Sequence, residues 1–266
     1  MPPKAKKRFG QHFLNSDIVI ARIVEAIEPA AGEAIVEIGP GRGALTVPLA
    51  ESGARVLAVE IERSAYATIT KSLASCENVS VVNRDFLSMT AEETGFDRFK
   101  LVGNLPYNIT SPVIDWVVEN RDRIVSALFM VQREVANRLT SQPGTKDWSP
   151  MAILTGLFFD IENCFDVSPE SFTPPPKVDS TVIRLAPSNK PQPSDYSKFE
   201  QVVRASFRSR RKQLANNLVP HLCDKPAVVR EILQRLNIPQ NIRAEQLPTE
   251  KFFELTEYLV TYKILS

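Results

Sequence analysis

The fold class of this chain is decided by the stretch Ala34-Ile35-Val36-Glu37-Ile38-Gly39-Pro40-Gly41-Arg42-Gly43. A short apolar run predicts a buried strand, the glycines that follow predict a turn, and residues 44–49 predict a helix. Glycine takes positive φ angles readily and lets the backbone approach a ligand closely. The dinucleotide fingerprint is G-x-G-x-x-G, with a pyrophosphate on the helix N-terminus. The G-x-G-x-G spacing of this turn favours a ligand without phosphates to hold.

Polar residues follow each of the next three apolar runs. The runs and their terminal residues are 55–59 with Glu60, 79–83 with Asp85, and 99–103 with Asn104. The carboxyl ends of parallel strands meet at one edge of an open sheet and form binding sites there. We therefore expect these three residues and the glycine turn to line one cleft.

The types of these residues suit a nucleoside ligand. Glu60 is placed to accept both ribose hydroxyls, with Ile61 beside it, while Asp85 would bond an adenine amine and Phe86 would pack on the ring. S-adenosylmethionine fits this description and the glycine spacing, so we predict it as the cofactor. The alternatives are a solvated strand-end carboxylate at Glu60 and an Asx turn at Asp85.

The tetrapeptide Asn104-Leu105-Pro106-Tyr107 suits a reaction at the exocyclic amine of a flat base. The Asn104 side-chain oxygen and the Leu105 carbonyl are able to accept hydrogen bonds from adenine N6, which would free the nitrogen lone pair for attack. Pro106 stiffens the turn and Tyr107 offers a face for stacking. The alternative is an ordinary turn after a strand. Because the tetrapeptide follows a strand of the same predicted cleft as Glu60 and Asp85, we favour a catalytic role for all four of its residues.

Alternating apolar strands and amphipathic helices predict an α/β fold with a doubly wound, mostly parallel sheet. Residues 124–131 predict another strand and 178–185 a late one, while residues 153–159 fit either a helix or a strand. A proline-bearing polar linker follows at 186–195. The segments beyond it that predict helices are 199–219, 227–236 and 251–262. We expect a methyltransferase domain over 1–186 and a small all-helical RNA- or ribosome-binding domain over 187–266.

Basic residues are concentrated in two clusters, although the net charge is only +1. The first comprises Arg204, Arg208, Arg210, Arg211 and Lys212; the second is at the N-terminus and includes Lys6, Lys7 and Arg8. Helical spacing places Arg204, Arg208 and Arg211 near one face, and phosphates are the expected partner. The alternative for the first cluster is a solvated helix face.

Phe172 precedes three consecutive prolines, Pro174 to Pro176, which predict a stiff extended loop. A ring delivered on such a loop would cover the second face of a base stacked on Tyr107. The alternative is a core phenylalanine under the loop.

Composition excludes several classes of protein. Three scattered cysteines and two histidines argue against a zinc site and disulfides, so we expect no metal and a cytoplasmic location. No apolar run approaches the ~20 residues that span a bilayer, and no secretory signal pattern is present, so no membrane partner is expected.

The chain resembles the bacterial small-subunit ribosomal RNA adenine dimethyltransferases of the KsgA type. The stretches that carry the resemblance span nearly the whole chain: Arg8 to Leu14, Val36 to Gly41, Asn104 to Tyr107, Gln132 to Val135, Phe172 to Ser180 and Phe207 to Lys212. The resemblance implies a seven-stranded Rossmann-like methyltransferase sheet, in which residues 178–185 would be the seventh, antiparallel strand. It also implies S-adenosylmethionine contacts at His12, Leu14, Gly39, Glu60, Asp85 and Asn104, to which Gly41, Ile61 and Phe86 are added here.

The substrate that the resemblance implies is 16S rRNA within the immature small ribosomal subunit, methylated at N6 of two adjacent adenines in a 3'-terminal hairpin loop. A monomer is expected. The alternatives are the related 23S rRNA adenine-N6 methyltransferase of the macrolide-resistance type and a non-catalytic RNA-binding assembly factor of the same fold. A nicotinamide dehydrogenase is disfavoured by the glycine spacing.

Overall fold

The computed structural model of the chain describes residues 12–222 and 226–262, without the side chains of His221 and Leu222. The N-terminal residues Lys6, Lys7 and Arg8 lie outside this range. Two compact units are present. The first unit contains the chain up to Ala136 together with Phe159–Ser188, and the second contains Asn137–Phe158 and the chain from Asn189 onward. The domain boundary predicted between residues 186 and 187 lies two residues before the point, after Ser188, where the chain last passes from the first unit to the second. Residues 137–158, which lie within the predicted first domain, belong to the second unit.

The first unit is built on a seven-stranded sheet. Its strands are β2 Ala34–Ile38, β3 Arg55–Val59, β4 Val79–Val82, β5 Phe99–Asn104, β6 Ile124–Gln132, β7 Phe159–Val167 and β9 Ser180–Pro187, and their order in the sheet is β4-β3-β2-β5-β6-β9-β7. Neighbouring strands are parallel from β4 to β6, and β9 is antiparallel to both of its neighbours. Two further short strands, β1 Phe13–Leu14 and β8 Phe172–Thr173, pair with each other. The predicted mostly parallel fold class is confirmed.

In the described part of the chain, five helices alternate with the first strands. This alternation keeps the strands parallel, so that their carboxyl ends lie at one edge of the sheet. The helices are α1 Asp17–Ile27, α2 Thr46–Glu51, α3 Arg63–Ser72, α4 Thr110–Glu119 and α5 Arg133–Leu139. Ser16 caps α1, and its side chain accepts a hydrogen bond from Val19 N. Strand β2 is buried over its full length, as expected of a central parallel strand covered on both faces.

The second unit is helical in the part that the structure describes. Its helices are α6 Pro150–Phe158, α7 Tyr196–Ser206, α8 Leu214–Leu222, α9 Pro226–Arg235 and α10 Thr249–Thr261. Phe199 stacks on Phe253 at 4.8 Å between ring centroids. The Trp148 indole donates to the Leu247 carbonyl at 3.0 Å. This bond ties the segment 137–158 to the C-terminal helices.

The single helix predicted over residues 199–219 is wrong. Helix α7 ends at Ser206 and α8 begins at Leu214. The buried side chain of Asn217 donates to the Ser206 carbonyl at 2.7 Å and to the Ser209 carbonyl at 3.0 Å. These bonds replace the intrahelical partners that the carbonyls would have in a continuous helix. The segment 207–213 is therefore a loop, here called the basic loop, and its arginines do not lie on one helix face.

Candidate active site

The predicted site residues of the first unit lie around one cavity of about 370 Å³. The cavity lies at the carboxyl ends of the parallel strands, where the sequence predicts it. Thirteen predicted residues line it: His12, Leu14, Gly39, Gly41, Glu60, Ile61, Asp85, Phe86, Asn104, Leu105, Pro106, Tyr107 and Phe172. Their placement is observed, whereas their individual roles stay predictions.

The glycine turn after β2 forms one wall of the cavity. Gly39, Gly41 and Gly43 all have positive φ angles, of 64°, 57° and 85°. A Cβ atom on Gly41 would lie 3.2 Å from the Phe13 ring. The Gly41 N–H donates to a Glu60 carboxylate oxygen at 3.0 Å. A larger residue at position 41 would thus be strained and would crowd the Phe13 ring.

Glu60 lies directly after β3 and is 2% exposed. Its carboxylate accepts a second backbone hydrogen bond from Glu62 N at 2.8 Å. Burial raises the pKa of Glu60, while the backbone donors of Glu62 and Gly41 oppose that rise. A carboxylate has lone pairs beyond these two bonds. Glu60 is therefore oriented by backbone groups and retains acceptor capacity toward the cavity.

Asp85 and Phe86 follow β4. One Asp85 oxygen accepts from Leu87 N at 3.0 Å, which is the local Asx-type bond that the alternative interpretation predicts. The Asp85 side chain is exposed at the cavity mouth, so the local bond and a role toward a ligand are compatible. Phe86 is buried and lies 4.6 Å from the Trp116 ring centroid. Phe86 thus joins the cavity wall to the aromatic packing beneath it.

The tetrapeptide at the end of β5 is anchored to neighbouring backbone groups. The Asn104 side-chain nitrogen donates to the His12 carbonyl at 3.1 Å, which leaves the amide oxygen as an acceptor. Leu105 N donates to the Met130 carbonyl at 3.0 Å. These two bonds hold both residues at the edge of the cavity.

The carbonyl groups of the turn differ in their partners. Among the described residues, none donates a hydrogen bond to the Leu105 carbonyl. The Pro106 carbonyl accepts from Ile109 N at 3.1 Å and so closes the turn that leads into α4. The Asn104 amide oxygen and the Leu105 carbonyl are thus two acceptors of neighbouring residues that are available to a ligand.

Tyr107 is half-buried beside these acceptors. Its ring lies 6.0 Å from the His12 ring, with 29° between the two planes. Burial raises the pKa of the Tyr107 hydroxyl, and a hydrogen bond with the Ser180 side chain opposes this rise. Tyr107 is therefore neutral at physiological pH, and it presents an uncharged aromatic ring to the cavity.

Phe172 lies in β8 and is 4% exposed. It packs in the main hydrophobic core with Leu14 and Val167, and it also lines the cavity. The burial of Phe172 agrees with the alternative of a core phenylalanine. Because Phe172 also lines the cavity, its role in stacking on a base stays a prediction. The peptide bond between Thr173 and Pro174 is cis.

The cavity is lined by two buried glutamates, Glu60 and Glu37, and Glu37 was not predicted as a site residue from the sequence. Glu37, in β2, is 2% exposed and accepts a hydrogen bond from the Thr46 hydroxyl at 2.6 Å. Burial raises the pKa of Glu37 to about 7, against the opposing effect of Thr46, and the nearby Glu60 charge adds to the rise. An acidic residue inside a continuous apolar strand was the signal that could have identified it.

The predicted basic residues of the second unit lie on and next to the basic loop. Arg208, Arg210, Arg211 and Lys212 lie in the loop, and all four are exposed. Arg204 lies in α7 and pairs with Glu200 at 2.7 Å. The loop therefore presents several positive charges to solvent on a backbone that Asn217 holds in place.

The described residues contain no group of three or more His, Cys, Asp or Glu side chains that would hold a metal ion. Within the same residues, no helix combines the length and apolar character needed to cross a membrane.

The sheet order, the single antiparallel strand β9 and the glycine turn facing a strand-end carboxylate define the class of S-adenosylmethionine-dependent methyltransferases. The model of the ribosomal RNA adenine dimethylase family matches residues 3–261. The chain belongs to the ribosomal RNA adenine dimethylase family, and S-adenosylmethionine is the cofactor of its enzymes.

Two relatives illustrate the similarity in sequence. The ribosomal RNA small subunit methyltransferase A of Bordetella avium is 38% identical over 98% of this chain and 98% of its own length. The protein of the same name in Neisseria meningitidis is 37% identical over 96% of both chains.

Two solved structures illustrate the similarity in fold. A dimethyladenosine transferase from Plasmodium falciparum superposes with a TM-score of 0.80 at 23% identity, over 95% of this chain and 98% of that one. The 23S rRNA methyltransferase ErmE superposes with a TM-score of 0.71 at 29% identity, over 93% of this chain and 99% of that one.

Proposed function

We propose that this protein dimethylates N6 of two adjacent adenines in a 3'-terminal hairpin loop of 16S rRNA, during maturation of the small ribosomal subunit. Membership of the adenine dimethylase family supports the reaction, and relatives named as small-subunit methyltransferases at 37–38% identity support the target. The observation that carries the proposal is the pair of acceptors, the Asn104 amide oxygen and the Leu105 carbonyl, beside the glycine turn in one cavity.

The cavity has the features that S-adenosylmethionine requires. Gly41 has the positive φ that the turn beside the cavity requires, and Glu60 holds acceptor capacity next to it. We assign Glu60 to the ribose hydroxyls, and Asp85 with Phe86 to the adenine. His12, Leu14, Gly39 and Ile61 complete the proposed cofactor site. When bound, the cofactor supplies a methyl group on a sulfonium centre, which is a good leaving group.

The protein's own contribution to the reaction is positioning. Asn104 and Leu105 would hold the N6 hydrogens, which disfavours delocalisation of the nitrogen lone pair into the ring and directs it toward the methyl group. Tyr107 would stack on the adenine after the base leaves its own stack. After the first transfer one N–H remains, so the acceptor side must then admit a methyl group where a hydrogen was.

The second unit would supply affinity for RNA. The basic loop is suited to phosphate oxygens, which bind arginine and lysine with release of counterions. We assign the RNA- or ribosome-binding role to this unit and the methyltransferase role to the first unit. We further propose that the protein acts as a monomer in the cytoplasm, on immature small subunits.

Two alternatives differ in substrate or chemistry. The likeness to ErmE keeps 23S rRNA as an alternative target, although the small-subunit relatives are more similar in sequence. A non-catalytic assembly factor is disfavoured, because the glycine turn, Glu60 and Asn104 are all in place around the cavity.

The test is transfer of tritiated methyl groups from S-adenosylmethionine to immature small subunits, followed by mass mapping of the modified nucleotides. We expect two neighbouring N6,N6-dimethyladenines in 16S rRNA. Subunits that already carry these methyl groups serve as the control and should accept none. Methyl groups found only in 23S rRNA would assign the alternative target, and the absence of transfer to either RNA would contradict the proposal.

A further inference from the structure

A short segment, residues 12–15, here called the strap, lies along the wall of the cavity. Phe13 and Leu14 form its strand β1, which pairs with Thr173 and Phe172 of β8. Successive side chains of a strand point to opposite faces, and these two pack on different partners. Leu14 belongs to the main hydrophobic core, whereas Phe13 packs on the glycine turn. Phe13 also lines the cavity, although no role has been assigned to it so far.

The Phe13 ring is held by the glycine turn. A Cβ atom on Gly41 would lie 3.2 Å from the ring, so no atom fits between the ring and the backbone at this point. The guanidinium carbon of Arg42 lies 4.4 Å from the ring centroid, which is within the range of a cation–π contact. Phe13 is 9% exposed. The turn that forms the wall of the proposed cofactor site therefore also fixes the place of this ring.

The strap is also tied to β8 and to the proline that follows it. The Asn15 side-chain nitrogen donates to the Thr173 hydroxyl at 2.5 Å. The His12 ring donates from Nδ1 to the Pro174 carbonyl at 2.7 Å. These bonds hold the strap at both of its ends, while the Phe13 ring holds its middle on the glycine turn.

The peptide group between His12 and Phe13 connects the strap to Asn104. Its oxygen, the His12 carbonyl, accepts from the Asn104 side-chain nitrogen at 3.1 Å. A peptide group is planar, so the two residues that it joins determine its orientation. The last torsion of an asparagine side chain has only a broad preference of its own. The His12 carbonyl therefore decides which end of the Asn104 amide faces the cavity.

We infer that Phe13 is a positioning residue for methyl transfer. By packing on the glycine turn it holds the His12 carbonyl in place, and this carbonyl orients the Asn104 amide oxygen toward the target adenine. The inference rests on the proposed role of Asn104 as an acceptor for the adenine amine. It makes the strap the connection between the wall of the proposed cofactor site and the residue that holds the substrate.

The first test observes the Asn104 amide directly by NMR, in protein labelled with nitrogen-15 in its asparagines. The Asn104 side-chain signal is identified by its absence from Asn104→Ala. A hydrogen bond to a carbonyl shifts the bonded amide proton downfield. Phe13→Leu keeps an apolar side chain but removes the flat ring that packs on Gly41, so it should reduce this shift. The measurement requires neither RNA nor methyl transfer.

The second test is single-turnover methyl transfer to immature subunits at saturating S-adenosylmethionine. Phe13→Leu should lower the rate by about 2- to 12-fold, the equivalent of a typical net hydrogen bond. Affinity for the subunit should be nearly unchanged, because the phosphate contacts lie elsewhere. In an Asn104→Ala background, Phe13→Leu should change the rate by less than about twofold, since the group through which it acts is then missing.

Phe165→Leu is the matched control. The Phe165 ring also lies beneath an arginine, with the guanidinium carbon of Arg22 at 3.9 Å from its centroid, but it is not among the residues that line the cavity. This variant should leave the Asn104 signal and the rate at their wild-type values. Thr173→Val is a second variant at an exposed position, and it removes the hydroxyl that Asn15 binds. It should change the signal and the rate in the same direction as Phe13→Leu, by a smaller amount.

The inference is wrong if the Asn104 signal of folded Phe13→Leu matches that of Phe165→Leu, or if Phe13→Leu slows transfer as much in the Asn104→Ala background as in the wild type. If Phe13→Leu does not fold, an unchanged signal in Thr173→Val overturns the inference. Asn104→Ala separates this failure from failure of the proposed function. Slow transfer by Asn104→Ala with an unchanged signal in Phe13→Leu would make only the role of Phe13 wrong. Normal transfer by Asn104→Ala would make the acceptor role of Asn104 wrong.

Discussion

At the scale of single residues, Asn104 uses the two ends of its amide differently. The nitrogen donates to the His12 carbonyl and thereby fixes the side-chain orientation. The oxygen is then directed away from that bond and is free to accept from a substrate amine. An aspartate would lack the donor and an alanine would lack both groups. Asparagine at this position therefore combines self-positioning with the acceptor function.

Asn104→Ala should lower single-turnover methyl transfer by about 100-fold or more, which is ~2.7 kcal/mol at about 1.36 per tenfold. The reason is that its oxygen would hold N6 most strongly as the nitrogen becomes tetrahedral. RNA affinity should be nearly unchanged. Asn120→Ala, which removes an amide bond to Trp116 O at the end of α4, is the control. Near-normal transfer by a folded Asn104→Ala protein would show that the tetrapeptide is only a structural turn.

Glu60→Gln should weaken S-adenosylmethionine binding by about 10- to 100-fold, since hydrogen bonds to a charged group are worth ~1.5–3 kcal/mol. The Gly41 and Glu62 backbone N–H groups bind different oxygens of Glu60, so glutamine keeps one of these two orienting bonds. Isothermal titration calorimetry measures the affinity, with the exposed Glu92→Gln variant as the control. If Glu60→Gln and Glu92→Gln bind S-adenosylmethionine with equal affinity, the proposed contact between Glu60 and the ribose is wrong.

Glu37 should make folding stability depend on pH. Its carboxyl keeps its proton in the folded state up to a pKa of about 7, whereas the ordinary value is 4.5. This contribution to stability is complete below pH 4.5, falls as the pH rises from 4.5 to about 7, and is constant above that. The total loss is about 3 kcal/mol at about 1.36 per pH unit.

Glu37→Gln should remove this pH dependence, because glutamine does not titrate. Urea denaturation of both proteins between about pH 5 and pH 8 checks the expectation. The stability of the wild type relative to Glu37→Gln should decrease toward neutral pH and then level off. A difference that stays constant over this range would mean that Glu37 titrates alike in the folded and unfolded states.

At the scale of elements, the parallel strands β2 to β6 were predictable from the sequence, and the largely accessible strand β7 was not. Strand β2 is continuously apolar around Glu37 because both of its faces are covered. Strand β7 begins Phe-Asp-Ile-Glu and is largely accessible, so its composition resembles a loop. The boundary between α7 and α8 was also missed, because the signal is one buried side chain, Asn217, that bonds carbonyls eight and eleven residues earlier. Local periodicity contains no information on such a bond.

The same limit applies to the candidate site. Strand-end polar residues such as Glu60 and Asn104 were identified because parallel strands bring their carboxyl ends together. Ser180 ends one of the stretches that carry the family resemblance, yet the sequence assigns it no role. Its place in the cavity wall depends on β9 lying beside β6, which no local sequence pattern shows.

The basic loop should determine affinity for RNA. Replacing Arg208 and Arg211 together with Ala should weaken binding to the small subunit and reduce the salt dependence by roughly one unit of slope for each phosphate that is no longer bound. Methyl transfer within the bound complex should change little. Arg235→Ala is the control in the same unit, since this arginine is paired with Glu231 at 2.7 Å. An unaltered salt slope in the double variant would show that Arg208 and Arg211 bind no phosphates and belong to a solvated surface.

At the scale of the whole molecule, the chain passes between its two units three times, after residues 136, 158 and 188. The segment 137–158 precedes two strands of the sheet but contributes to the second unit. Gly144 N donates to the Glu245 carbonyl at 2.7 Å, and Trp148 bonds Leu247. A single cut in the linker therefore does not separate the units, although the sequence places the boundary there.

A fragment that ends at Ser188 should be poorly soluble. It retains the apolar helix α6, whose buried residues include Ile153, Leu154 and Leu157, but lacks the second-unit residues that pack with it. Binding of the dye ANS and size-exclusion chromatography would detect the exposed surface. A matched fragment with residues 137–158 replaced by a glycine-serine linker should bind less dye. Equal behaviour of the two fragments would contradict this assignment of α6.

The position of β9 has a consequence for synthesis on the ribosome. Strand β9 lies between β6 and β7, so β6 has no partner on that side until β9 has been made. The stretch between Gln132 and its partner Ser180 takes roughly 2 to 10 s to translate at about 5–20 residues per second. During this interval the nascent chain carries an apolar strand with open backbone groups, a known risk for aggregation. Every delay in translation between β6 and β9 therefore lengthens the time during which the sheet is open on one side.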